Sequence, residues 1–367
     1  MAIKFSVVTP SYNSSRYIDR CIESVQSQKY SNFEHIIIDG ASTDDTIKIL
    51  KSYPHLNWLS EPDRGEIEAV NKGLKMVTGD IIVWLNTDDY LLDNTFENIE
   101  RILDSSAETH VIYGHAYIVN EQDQITHEKR VESNIDLPKL MRWWLGNQGL
   151  PHQSSMFFSR HALEVTGLVN QNLHFSADLE YWIRLARKFE FKFINEFLSS
   201  AKLFRKDAKS YNTISAQIAS HWRVTLPVHC ELKLSQQVSF WADYWTLYVN
   251  NEMISHSATQ DYFCASSTIG IAEALISLGN PNEALFHLSR SLNTKVKDCS
   301  RDINPIMVMG MILAFMHLEQ VNEATFYFIT LVSHPSFSEI MKVMEELPSN
   351  DKMIVSKLFK YLRDLTT

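Results

Sequence analysis

The densest chemistry in this chain is Asn86-Thr87-Asp88-Asp89, which directly follows the apolar run Ile81-Ile82-Val83-Trp84-Leu85. An apolar run without alternation predicts a strand covered on both faces. Ligands of open α/β sheets bind at the carboxyl ends of the strands. Adjacent carboxylates there repel each other unless a cation neutralises them. Oxygen ligands suit magnesium or manganese, and such an ion, held by one or two carboxylates, usually also holds substrate phosphates. The competing reading of Thr-Asp-Asp is a solvated turn, so the surrounding elements must decide.

Those elements alternate. Phe5 to Thr9 predicts a buried strand, followed by a helix capped at Ser14 or Ser15 with Tyr17, Ile18, Cys21, Ile22 and Val25 on one face. Glu34 to Asp39 predicts a second strand, and a helix from Ser42 or Asp44 runs through Ile47 and Leu50. A short strand over Leu56 to Leu59 precedes a helix over Gly65 to Val77, then the Ile81 strand, then a helix marked by Phe96, Ile99 and Leu103. This order predicts a doubly wound, mostly parallel sheet of the α/β class. Polar signatures end successive strands: Thr9-Pro10-Ser11-Tyr12-Asn13, Asp39-Gly40-Ala41-Ser42-Thr43-Asp44-Asp45, Glu61-Pro62-Asp63-Arg64-Gly65 and Asn86 to Asp89. On one sheet edge they would make one site.

As an ordered set these motifs resemble family 2 glycosyltransferases, inverting enzymes of the GT-A fold. Thr-Pro-Ser-Tyr-Asn is similar to their opening motif and Ile38-Asp39-Gly40-Ala41-Ser42-Thr43-Asp44-Asp45-Thr46 to their second. Ser60-Glu61-Pro62-Asp63-Arg64-Gly65 through Asn71-Lys72-Gly73 resembles a third, and Asn-Thr-Asp-Asp a variant of their metal-binding motif. The resemblance covers roughly residues 3–210. The absence of a G-x-G-x-x-G after the first strand, and of a G-x-x-x-x-G-K-[ST] loop, argues against dinucleotide and P-loop enzymes. A nucleotidyltransferase would need a glycine-rich first loop, which Thr9 to Asn13 lacks.

The resemblance implies roles. Asp88, then Asp89, would ligate Mn2+ or Mg2+, with Asn86 in the place of the motif's first acid. Asp39 would accept the N3–H of uracil, and Thr9, Pro10 and Tyr12 would line the base pocket. Arg64 would meet phosphate or ribose, and Gly65 would permit close backbone approach. Glu66, Glu68 and Asn71 would border the donor sugar. Ser176-Ala177-Asp178-Leu179-Glu180-Tyr181-Trp182 resembles the family's late acidic motif, which makes Asp178 the expected general base and Glu180 its rival. His152-Gln153 is read as contacting acceptor or phosphate, with a structural histidine as the competing reading. Arg205 would close over the diphosphate. The expected donor is a nucleotide-diphosphate sugar, UDP-linked by preference. The expected acceptor is a glycan, lipid-linked glycan or protein, in polysaccharide or glycoconjugate assembly. A catalytically inactive scaffold acting through its helical C-terminus is the alternative.

Bulk properties agree. The net charge of −10 argues against a nucleic-acid partner. No run of about 18 apolar residues predicts a membrane span. The N-terminus lacks a signal-peptide plan, and the scattered Cys21, Cys230, Cys264 and Cys299 read as reduced thiols. A cytoplasmic enzyme is expected, with peripheral contact at the inner membrane face as a further option. From about Ser210 the pattern turns helical, so a catalytic domain over 1–210 and an all-α C-terminal domain over 211–367 are expected. Phe240, Trp241, Tyr244, Trp245 and Tyr248 form a stripe at helical spacing, read as core, with an interfacial membrane face as the alternative. Ala274 to Ala284 recurs weakly as Ala314 to Ala324, which looks like tetratricopeptide-type helix pairs. These helices would serve a homo-oligomer or a protein partner.

Overall fold

The computed structural model describes residues 3–105, 108–141, 150–173, 175–202 and 214–229, with scattered positions from 231 to 244 and at 271, 312, 353 and 356. The chain divides into two compact units, Met1–Asn212 and Thr213–Thr367.

The first unit begins as the hydrophobic pattern requires. Strand β1 (Phe5–Ser11) leads to helix α1 (Ile18–Gln26), β2 (Phe33–Asp39), α2 (Thr46–Leu50), β3 (Asn57–Ser60), α3 (Glu66–Leu74) and β4 (Ile81–Trp84). Strands β3, β2, β1 and β4 lie side by side and parallel. Parallel pairing is paid for in sequence by burial on both faces, and Val7 and Val8 are both fully buried. Phe5 and Val7 pack with Cys21 and Val25 of α1 on one face. On the other, α3 comes so close that a Cβ at Gly73 would stand 2.4 Å from Val8 Cγ1. Glycine there lets the helix seat directly on β1. Each large apolar side chain buried in this way contributes about 1.5–3 kcal/mol.

The rest of the sheet departs from the sequence expectation. It continues with β5 (Tyr90–Leu91), α4 (Thr95–Ser105), β6 (Val111–Val119), β7 (Ile125–Lys129), α5 (Leu137–Met141), β8 (Met156–Ser159), α6 (Arg160–Thr166), α7 (Ala177–Ala186) and β9 (Phe191–Lys202). The strand order is β3-β2-β1-β4-β8-β6-β9-β5, with β7 beside β6. The β4–β8, β6–β8, β6–β7 and β5–β9 pairs are antiparallel, whereas β6–β9 is parallel. The sheet is therefore mixed rather than mostly parallel. The reversal arises because β6 turns directly into β7 through Asn120–Gln124, and because β8 enters the sheet from the site edge. Neither requires a helical crossover.

Strands β8 and β7 share one edge of β6. Strand β8 pairs along Val111–Tyr113 and β7 along Ala116–Val119. The 3-10 turn Gln153–Ser155 sits where they meet, with the Ser155 hydroxyl donating to the His115 carbonyl at 2.9 Å.

In the second unit, α8 (Ile214–His229) is described, and Phe240, Trp241 and Tyr244 are buried. Trp222 meets Phe240 and Tyr244 edge-on, at 6.1 and 5.1 Å between ring centroids. Trp245, Tyr248 and the weak repeat lie outside the described residues. Among the described residues no helix is long and apolar enough to cross a membrane.

Candidate active site

The polar motifs converge at the carboxyl edge of the parallel strands, and side chains tie them together. Asn13 Oδ1 accepts the Thr43 N–H at 2.8 Å, and the Asn13 N–H donates to Ser42 Oγ at 2.8 Å. The Gly40 N–H reaches the Ser11 carbonyl at 2.8 Å and the Glu61 N–H the Asp39 carbonyl at 3.0 Å. Thr87 donates to Ser14 Oγ at 3.0 Å, joining the acidic loop to the first motif. The Gln153 amide donates to the Trp84 carbonyl, which fixes the turn before β8 against the end of β4.

Not every expected pocket residue faces the pocket. Thr9 is fully buried, its hydroxyl 2.9 Å from His35 Nε2 inside the core. Pro10 is buried too, whereas Tyr12 is 64% exposed and offers a free ring face. Asp39 is fully buried. Its carboxylate accepts the Ser42 N–H at 2.9 Å, the Ser42 hydroxyl at 2.5 Å and the Ser60 hydroxyl at 2.7 Å. It thus holds the turn between the first and third motifs.

Helix α3 opens at Gly65, whose φ of 125° is a backbone state that L side chains rarely adopt. A cleft of about 220 Å³ lies there, lined by Arg64, Gly65, Glu66 and Glu68 with Gln171, Asn172 and Leu173. The Arg64 guanidinium donates to Glu68 at 2.7 Å and to Gln171 at 3.3 Å. Asn71 does not border this cleft directly. It is buried, exchanging two hydrogen bonds of 2.8 and 2.9 Å with the Val169 backbone, and so anchors the loop that forms the far wall. A larger cleft of about 350 Å³, lined by Asp80, His110, Arg160 and His161 among others, opens at the opposite sheet edge, away from every strand-end motif.

In the acidic loop, Asn86 Oδ1 accepts the Trp84 indole N–H at 2.8 Å, which commits it to positioning. Asp88 is half-buried. Asp89 is 4% exposed, with its carboxylate 3.4 Å from the Lys202 N–H and 3.8 Å from His152 Nδ1. Among the described residues no cluster of three or more His, Cys, Asp or Glu side chains is arranged to hold an ion by itself. Two adjacent carboxylates nevertheless fit a magnesium-class ion, which keeps water and phosphate oxygens in most of its shell.

Helix α7 starts after Ser176, which adopts the left-handed conformation with φ of 60°. Asp178 lies in the first turn, half-buried, and makes no hydrogen bond or ion pair among the described residues. Glu180 differs. Arg184 grips it with two hydrogen bonds of 2.8 and 3.1 Å while also donating to the Thr166 and Leu168 carbonyls. Glu180 is therefore a structural partner, and Asp178 is the available carboxylate. His152 is neutral at pH 7, because burial, then the Lys129 ammonium, push its pKa down to about 3. Arg205 lies outside the described residues.

Two features escaped the sequence reading. The Ser154 and Ser155 hydroxyls meet Ser199 at 2.9 and 2.6 Å beneath the turn. Lys129 closes the exposed strand β7 and interacts electrostatically with both His152 and Asp178. A charged Glu128-Lys129-Arg130 run reads as a solvated edge, so no local signal marks it.

The model of the family described as "Glycosyl transferase family 2" matches residues 6–167. The chain is 30% identical to an uncharacterized glycosyltransferase of Mycobacterium tuberculosis over 186 residues, 49% of this chain and 68% of that protein. It is 28% identical to the chondroitin synthase of Escherichia coli over 224 residues, 60% of this chain, and spans only 32% of that protein's length. Residues 1–349 of S. aureus TarS, solved with UDP-GlcNAc, superpose with a TM-score of 0.56 at 13% identity, covering 83% of this chain and 90% of that one. That likeness is one of fold, a GT-A-like mixed α/β sheet. With the strand-end motifs gathered on one edge and the sequence match running through them, the chain belongs to glycosyl transferase family 2.

Proposed function

We propose that the chain is an inverting, metal-dependent transferase. It moves a hexosyl or N-acetylhexosaminyl group from a nucleotide-diphosphate sugar to an acceptor hydroxyl. The observation that carries this reading is the unengaged Asp178 carboxylate at the start of α7, in a unit whose acidic loop follows β4. UDP-GlcNAc, bound by TarS, makes a UDP-linked donor the first to test.

On this reading Tyr12 stacks on the base, Asp39 shapes the base pocket through its turn, and the α3 N-terminus with Arg64 and Gly65 borders the donor. Asp88, with Asp89 behind it, holds Mn2+ or Mg2+, which when bound stabilises charge on the departing diphosphate. Asp178 takes the proton of the acceptor hydroxyl as that oxygen attacks the anomeric carbon from the face opposite the diphosphate. The acceptor is a glycan, a lipid-linked glycan or a protein, and the setting is cytoplasmic polysaccharide or glycoconjugate assembly. The C-terminal region over 211–367 engages the acceptor, a partner protein or a second copy.

The test is hydrolysis and binding of UDP-, GDP- and dTDP-sugars with manganese, magnesium or EDTA. Metal-dependent release of one nucleotide, abolished in Asp88→Ala, is the expected result. Failure of every donor under every metal condition would overturn the reading and leave an inactive scaffold.

A further inference from the structure

Strand β7 carries a cation, Lys129, that none of the expected motifs includes. Lys129 pairs with Ala116, which in turn pairs with Ser199 of β9. Cross-strand partners share a face of the sheet. Ser199 meets Ser154 and Ser155, so this face is the one covered by the turn after His152. The small Ala116 leaves room for the Lys129 stem to pass over it. The neighbouring Val131 N–H donates to His115 Nδ1 at 3.1 Å, which holds the end of β7 down at the junction with β8.

The ammonium is therefore carried on the face of the sheet that the His152 turn covers. It acts electrostatically on His152, which stands 3.8 Å from Asp89, and on Asp178. Yet among the described residues no carboxylate lies within ion-pair distance of it and it has no hydrogen-bond partner. Among the described residues, Arg64 is committed to Glu68 and Lys202 to Asp123. Burial lowers the Lys129 pKa, Asp178 raising it in part. A half-buried ammonium without a partner is unfavourable, and an anion placed beside it would remove that cost.

We propose that Lys129 is a catalytic residue that contacts the leaving phosphate of the donor. The proposal rests on the transferase reading above. Between an acidic loop that binds the diphosphate and a base that activates the acceptor lies the bond that breaks. There the anomeric carbon–oxygen bond to phosphate cleaves, and its electron pair goes to the phosphate oxygen. The acceptor oxygen forms the new bond, and its proton passes to Asp178. Lys129 donates a charge-assisted hydrogen bond to the phosphate as that negative charge grows.

Calorimetry with nucleoside di- and monophosphates, in manganese, on wild type, Lys129→Met and Lys129→Arg tests this. The base is the one that the wild-type chain selects. The Met variant should lose about 10- to 100-fold in diphosphate affinity and little in monophosphate affinity, and Arg should restore most of the loss. Equal diphosphate affinity in the Met variant would overturn the proposal, and so would parallel loss of both ligands, which marks a structural lysine. A wild-type chain that binds no nucleotide would instead remove the transferase reading, and this inference with it.

Discussion

His152 Nδ1 lies 3.8 Å from Asp89 Oδ2, and it is also the acceptor for the Ser154 N–H at 3.4 Å. Burial keeps this imidazole neutral, so the Asp89 contact is not an ion pair. The histidine joins the acidic loop to the turn that leads β8 into the sheet. Two segments remote in sequence thereby set one wall of the site.

In the first turn of α7, Asp178 has no partner among the described residues, Glu180 being held by Arg184. Asp178→Asn should lower turnover by about 10²- to 10⁴-fold while nucleotide affinity stays near wild type. Steady-state kinetics with whichever nucleotide sugar the donor panel selects, paired with calorimetry, checks both halves. Near-normal turnover would make another residue the base.

Asp39 ties the turn between β2 and α2 to the third motif at Ser60, so its removal should cost stability as well as binding. Asp39→Ala removes the acceptor of the Ser42 N–H and of two hydroxyls in a part-buried setting. The expected loss is about 2–4 kcal/mol. Urea unfolding measures it, and a loss under about 0.5 kcal/mol, the scale of a plain surface substitution, would show that the turn stands without the carboxylate.

Acid should destabilise the first unit through His35. Burial, then repulsion from His55, lowers the His35 pKa from 6.5 to about 3. The unfolded chain therefore binds a proton that the folded chain refuses between these values. Stability should fall as pH drops from 6.5 toward 3 and be unaffected by this group above 6.5. Thermal unfolding of wild type and His35→Gln across that range should show a shallower acid slope in the variant. Identical slopes would rule out His35 as the source.

Much of the parallel half was legible because its signals are local. Burial on both faces of β1, β2 and β4 forces apolar runs, and each run ends where polar residues resume. Of the late strands, β8 shows in the run Ser154 to Phe158 after His152-Gln153, and the others were not legible. The β6–β7 hairpin carries a polar, solvent-facing partner strand, and β5 is a two-residue element whose pairing with Ser199 and Ser200 depends on a remote strand. Short or half-exposed strands leave little hydrophobic periodicity to read.

The sequence by itself determined the family, the ordered strand-end motifs and the acids they carry, because those depend on residue type and short spacing. Tertiary structure decided which side chains are available for chemistry. Thr9 turns into the core, Asn71 is spent on the Val169 backbone and Glu180 on Arg184. Asp178 and Lys129 are left without such partners among the described residues. Availability is set by partners remote along the chain and by burial, and neither is written in the local sequence.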